Sequence, residues 1–234
     1  MVFAPASLIL TNCNLPIIWA LYCKESLVLN FDNLTERLVE ELKAAAMHFD
    51  LYRSIKASIP SHKKGINKSP NFWSLTLNAH LEATRCSLCK IYEQTNNNNL
   101  TLNSWLKEFK KHHCKQEFFE TNEMDKFNRV PLVEGEIEQD IALVSLKDSL
   151  VNTLYTKHRN NEVAHISNKL VSRGESFWET YPLTVNDIEA LILRSKTIVN
   201  KYTAHYNGVH YELLSIYQKD DFKYVVDSVE KFAI

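Results

Sequence analysis

Residues 34–59, "LTERLVEELKAAAMHFDLYRSIKASI", decide the fold. Leu38, Leu42, Ala45, Phe49, Tyr52 and Ile55 recur every three or four positions, the period that gathers side chains on one face of an α-helix. The spacing predicts one long amphipathic helix. Downstream, "PSHKKGINKSP" (60–70) has proline at both ends and reads as a break. Ser69 is expected to cap a second helix with Pro70 at its first position. That helix carries Phe72, Trp73, Leu77, His80, Leu81, Leu88, Ile91 and Tyr92 and stops at "QTNNNN".

A third, shorter helix is expected over "TLNSWLKEFKKHH" (101–113), and 116–135 reads as mixed and partly loop. From near Glu136 an apolar period of Ile137, Ile141, Val144, Leu150, Val151 and Leu154 predicts a long helix that runs on without a break. "SRGESFWETYP" (172–182) ends it. Thr184 is placed to cap a closing helix, "VNDIEALILRSKTIVNKYTAHY", which Asn207-Gly208 terminates. The tail holds a short strand or helix, "VHYELLSIY", and an amphipathic helix from Asp220 to Phe232.

No stretch alternates over a useful length, and only four glycines and six prolines punctuate 234 residues. That scarcity disfavours a turn-rich β-sandwich and suits long helices. The expected class is all-α: a bundle of about five main helices over 31–208. An apolar N-terminal extension over 1–30 precedes it, and a short appendage over 209–234 packs on it.

The charge balance excludes a globally basic surface. Lys+Arg 27 against Asp+Glu 28 gives a net charge of −1, so any nucleic-acid surface must be local. The first 23 residues carry no charged side chain. They also lack a basic leader, and Pro5, Asn12, Asn14 and Pro16 interrupt them, so "SLILTNCNLPIIWALYC" reads as an irregular or short-strand cover over apolar surface. No membrane association is expected, and the expected compartment is the cytoplasm. Five cysteines, Cys13, Cys23, Cys86, Cys89 and Cys114, repeat no pair spacing. The Cys86/Cys89 pair lies inside a helical pattern, which favours reduced core thiols over zinc or redox chemistry.

One stretch is chemically dense. "YTKHRNNEVAHISNKL" (155–170) holds two histidines, an arginine, a glutamate and two adjacent asparagines. On an ordinary α-helix His158, Glu162 and His165 share a stripe, with Arg159 roughly a third of a turn away. A solvated face and a working site both fit that spacing. A zinc pair at His158 and His165 is disfavoured, because helical ligands usually sit four apart and no third ligand is near in sequence.

"HRNNEVAH" resembles the motif of the HEPN superfamily: an arginine, a polar residue after it, and a histidine several positions on. Here those are Arg159, Asn160 and His165. The stretch is most similar to the abortive-infection, AbiU-type branch, whose motif reads His-Arg-Asp-Lys-x-x-Ala-His. His158, Arg159, Ala164 and His165 match it, while Asn160 replaces its acidic residue and Asn161 its lysine. The flanking helices "FWSLTLNAHLEATRCSLCKIYEQ" and "LTVNDIEALILRSKTIVNKY" resemble that branch too, over roughly residues 34–207.

The resemblance implies a HEPN-like bundle that cleaves RNA without metal or cofactor, in phage defence or a toxin–antitoxin-like system. It implies catalysis by Arg159, Asn160 and His165, with His158 and Glu162 in support. It further implies a homodimer with a composite site, and an antitoxin or defence protein as a partner. "WLKEFKKHHCK" (105–115) concentrates Lys107, Lys110, Lys111 and Lys115, a local surface for RNA phosphates. "HKKGINK" (62–68) is also basic. The alternative is a catalytically silent HEPN domain that binds RNA, nucleotide or a partner protein.

Overall fold

The computed structural model describes residues 15–94, 99–113, 131–163, 172, 180–213 and 220–232, with the backbone alone for 15–29 and 160–163. Helix α1 (Leu15–Ser58) is the spine. Its predicted apolar face is the one it buries: Leu38, Leu42, Ala45, Phe49, Tyr52 and Ile55 are all buried, joined by Val39 and Ala46. The helix begins earlier than the periodicity suggests. Residues 15–23, part of the stretch expected to be irregular or strand-like, are helical. Pro16 falls in the first turn, where a missing N–H breaks no helical bond.

Helix α3 (Pro70–Ile91) packs along α1, with α2 (Lys63–Lys68) in the segment that read as a plain break. Pro70 opens α3 as expected, but Ser69 makes no side-chain capping bond. Helix α4 (Leu102–His112) starts with a complete capping box between Thr101 and Ser104. It drives Trp105 and Phe109 into the core, where they meet Phe31 of α1 and Tyr202 of the closing helix α7 (Val185–Asn207). Trp105 Nε1 donates to Thr35 Oγ1 at 2.9 Å, so even its polar tip is satisfied.

Helix α7 has the expected start and stop. Thr184 and Asp187 form a capping box, and Gly208 ends the helix at φ 73°, a left-handed conformation that suits glycine. A buried chain of hydroxyls ties α7 to α3: Ser195 Oγ donates to Tyr92 Oη, which donates to the Leu191 carbonyl, each at 2.9 Å. Asp140 of α5 (Glu136–Leu143) accepts from Lys201 at 2.7 Å and Tyr202 at 2.9 Å, fixing α5 on α7.

The helix expected to run unbroken from Glu136 is interrupted. It stops at Val144, and a new helix, α6 (Ser149–Asn152), starts at Asp148. There Asp148 Oδ1 accepts from the backbone N–H groups of Leu150 and Val151, both at 3.0 Å. Apolar residues keep their period across the break, which hid the Asp cap.

Helix α8 (Asp221–Lys231) crosses α2 at Gly65. Val226 there joins Ile55, Ile66 and Trp73 in a small second core. Residues 209–213 of the segment read as strand or helix are irregular, and 214–219 lie outside the described residues. Most of 116–135 also lies outside them. No strand occurs among the described residues, and no helix among them is long and apolar enough to cross a membrane.

Candidate functional site

The described part of the dense motif does not sit on an ordinary α-helix. Thr153–Val163 forms a π-helix, with i→i+5 bonding that adds roughly one residue to each turn. The stripe expected for His158, Glu162 and His165 on a 3.6-residue period runs past Val163 and so lies partly outside the described residues. π-Helical turns are rare and concentrate at functional sites. Glu162 and Asn160 are described in backbone only, and Ala164 and His165 lie outside the described residues.

Leu154 and Tyr155 anchor this segment in the core. His158 follows them inward and is fully buried, with Nε2 at 2.8 Å from the Tyr181 carbonyl. A carbonyl can only accept, so Nε2 carries the proton. Burial holds the imidazole down at about 4; the Tyr181 bond pulls the other way, and the nearby Arg85 charge adds to the depression. His158 is thus neutral at pH 7 and braces the motif against residues 180–184, which is a structural task. Lys157 reinforces the same contact from 5.1 Å above the Tyr181 ring.

Arg159 points differently. Its side chain is 35% exposed and lies 5.2 Å over the Tyr155 ring. Its Nη2 donates to Glu93 at 3.2 Å, and Asn99 donates to the other oxygen of that carboxylate at 2.9 Å. A half-exposed guanidinium seated on an aromatic face keeps its planar fork oriented.

Helix α3 supplies the wall behind the motif. Glu82, Arg85, Cys89 and Glu93 recur at spacings of three and four from α3 into the residues just past its end, and so form one stripe. Glu93 holds Arg159, and Arg85 lies near enough to His158 to affect its proton. Arg85, only 9% exposed, pairs with Glu82 at 3.1 Å. Sequence reading missed this stripe because an isolated helical wheel does not say which helix faces the motif. Cys86 and Cys89, the C-x-x-C of the sequence, are free thiols. Burial raises both, Cys89 to about 12, so neither is a thiolate at neutral pH.

The basic segment divides. Lys107 is exposed at the rim of a cavity of about 440 Å³ that Glu93 also lines. Lys110 pairs with Glu138 at 2.7 Å and Lys111 with Glu108 at 3.5 Å, while Lys115 lies outside the described residues. The second basic stretch underlies α8, with His62 3.4 Å from Asp227. Among the described residues no cluster of three or more His, Cys, Asp or Glu side chains is placed to hold a metal ion.

No curated protein and no solved structure matches the chain. A model of the HEPN AbiU2 family matches residues 29–225, spanning every helix described above except part of α1 and the end of α8. With the motif segment, its α3 wall and the closing helix all inside that match, the chain belongs to the AbiU2 family of HEPN proteins.

Proposed function

We propose that the chain is a metal-independent endoribonuclease acting in abortive infection or a toxin–antitoxin-like system. The observation that supports this most is Arg159: half-exposed, stacked on Tyr155 and carried on a π-helical motif within a HEPN family match. A ribose 2′-OH attacks the adjacent phosphorus, the P–O5′ bond breaks, and a 2′,3′-cyclic phosphate and a 5′-OH result. Arg159 binds the non-bridging oxygens as charge grows on them. His165 takes the 2′-OH proton or returns one to the leaving 5′ oxygen, a step worth roughly 10²–10⁴-fold. Asn160 orients the phosphate or the imidazole. Lys107 receives a flanking phosphate, and two chains supply one composite site.

Glu93 favours a second reading, in which the domain is silent and binds RNA, nucleotide or a partner protein. A carboxylate already occupies the fork that a phosphate would use. Purified protein incubated with total RNA, with and without EDTA, separates the two. Cleavage that survives EDTA and fails on an all-deoxy substrate is the expected result. Cleavage of DNA excludes 2′-OH attack, and intact RNA under all conditions leaves the silent domain.

A further inference from the structure

Two histidines meet where α1 and α3 pack together. His48 of α1 and His80 of α3 bring their Nδ1 atoms to 3.0 Å, with ring centroids 5.2 Å apart and planes tilted by 34°. The helices run antiparallel along this seam, since Lys90 of α3 pairs with Glu41 of α1 further along it. One Nδ1–H donates and the other Nδ1 accepts, so the two rings hold opposite tautomers. Burial and the neighbouring His48 hold His80 below its ordinary value, which favours a neutral ring at pH 7. The ribonuclease reading uses neither ring.

The spacing of these nitrogens suits a metal ion. A metal–nitrogen bond is roughly 2.0–2.1 Å, so two ligands at a right angle lie about 2.9 Å apart and two tetrahedral ligands about 3.4 Å. The observed 3.0 Å is nearer the first, the edge of a square or octahedral shell. Both histidines are half-buried rather than sealed. No lysine or arginine stands one turn to either side of His48 or His80, so no cation at those positions repels an ion. Ala44 and Ala83, each one turn away, are small and half-buried, and bring little bulk beside the rings.

We propose that His48 and His80 together hold one divalent transition ion of the nickel, copper or zinc class between α1 and α3. The ion replaces the bridging proton, which moves from Nδ1 to Nε2 of the donor ring through solvent. Both rings stay neutral, and both Nδ1 lone pairs face the ion. Each ring must tilt to do this, but the helices need not part. No third His, Cys, Asp or Glu stands with the pair among the described residues, so water completes the shell and the ion exchanges. The ion pins α1 to α3, the helix whose stripe backs the motif, and stabilises the folded chain by mass action.

Isothermal titration of the untagged full chain with Ni²⁺ alone tests the site, since Ni²⁺ prefers imidazole and does not oxidise thiols. One ion per chain should bind with a Kd on the order of 10 µM. The melting temperature should rise with Ni²⁺ and fall back on adding EDTA. Mg²⁺, which prefers oxygen ligands, should do neither. His48→Gln and His80→Gln each keep a hydrogen-bonding side chain at the seam and remove one imidazole. Each should weaken Ni²⁺ binding by about tenfold or more. Ni²⁺ binding that either variant leaves unchanged, equal binding of Mg²⁺, or no binding below about 1 mM overturns the site. Should a variant fail to fold, the wild-type chain decides: a melting temperature that excess Ni²⁺ does not raise overturns the site. The cleavage proposed above is expected to survive EDTA, so the ion site and the ribonuclease stand or fall separately.

Discussion

His158 and Arg159 are neighbours in sequence and opposites in chemistry. His158 is neutral because it is buried and holds the Tyr181 carbonyl. Its folded value of about 4 lies below the 6.5 of an exposed imidazole, so the unfolded chain takes up a proton that the folded chain refuses. This contribution is fully present above pH 6.5 and is lost as pH falls toward 4, by about 3 kcal/mol at most. His158→Gln keeps an N–H donor for the carbonyl but cannot titrate. The stability gap between wild type and this variant, from urea unfolding, should shrink steadily between pH 7 and pH 4. Parallel curves would show that His158 is not the group responsible. At Arg159 the issue is shape rather than charge alone. Arg159→Lys keeps the cation but loses the bidentate fork, so RNA cleavage should fall nearly as far as in Arg159→Ala. A lysine variant with full activity would mean that bulk charge suffices.

Helix α8 packs against α2 at a residue without a side chain. A Cβ on Gly65 would lie 2.8 Å from Val226 Cγ1 and 2.9 Å from the Val226 carbonyl oxygen. Rotamer changes cannot move that carbonyl. The Gly65 N–H also donates to Glu230 at 2.9 Å, so any shift costs that bond too. Gly65→Ala should therefore destabilise the protein by about 1–3 kcal/mol, despite alanine's roughly 1 kcal/mol advantage within a helix. Hydrogen exchange should localise the loss to 221–231 and 63–68; a rise in melting temperature would mean that α8 docks elsewhere. The long helices themselves were legible in the sequence, because one apolar face repeated at helical spacing admits few alternatives, as along Leu38–Ile55. The cap at Thr184 and the stop at Gly208 were legible for the same local reasons. Four things were not. Pro16 looked like an interruption and is a first-turn residue. Asp148 restarts a helix without disturbing the apolar period around it. The π-helical winding of Thr153–Val163 has no periodic signature. The wall facing the motif, from Glu82 to Glu93, depends on which helices pack together, and side-chain spacing within one helix carries no such information.

In the proposed ribonuclease each chain would bring a single Arg159 and a single His165 to the phosphate, and transfer to and from a 2′-OH asks for both an acid and a base. Two motifs facing across a two-fold axis supply both from identical parts, since an isologous contact brings each segment against its own copy. The described surface around Arg159 is compatible with this arrangement: the guanidinium is half-exposed, and Glu93, which restrains it, belongs to the same chain. A phosphate entering between two such pairs would meet two guanidinium groups and compete with two carboxylates. The site would then be stronger in the dimer than in either half. Co-expression of wild type with His165→Ala, each with a different affinity tag, measures this directly. Random assortment leaves about a quarter of the dimers fully wild type, about half mixed and about a quarter doubly mutant. If both histidines are needed, purified mixed dimers should show little activity, and the unsorted pool should fall to about a quarter of wild type. Mixed dimers with half the wild-type rate would mean that each chain works alone. A protein that light scattering shows to be monomeric at concentrations where it still cuts RNA would exclude the shared site altogether.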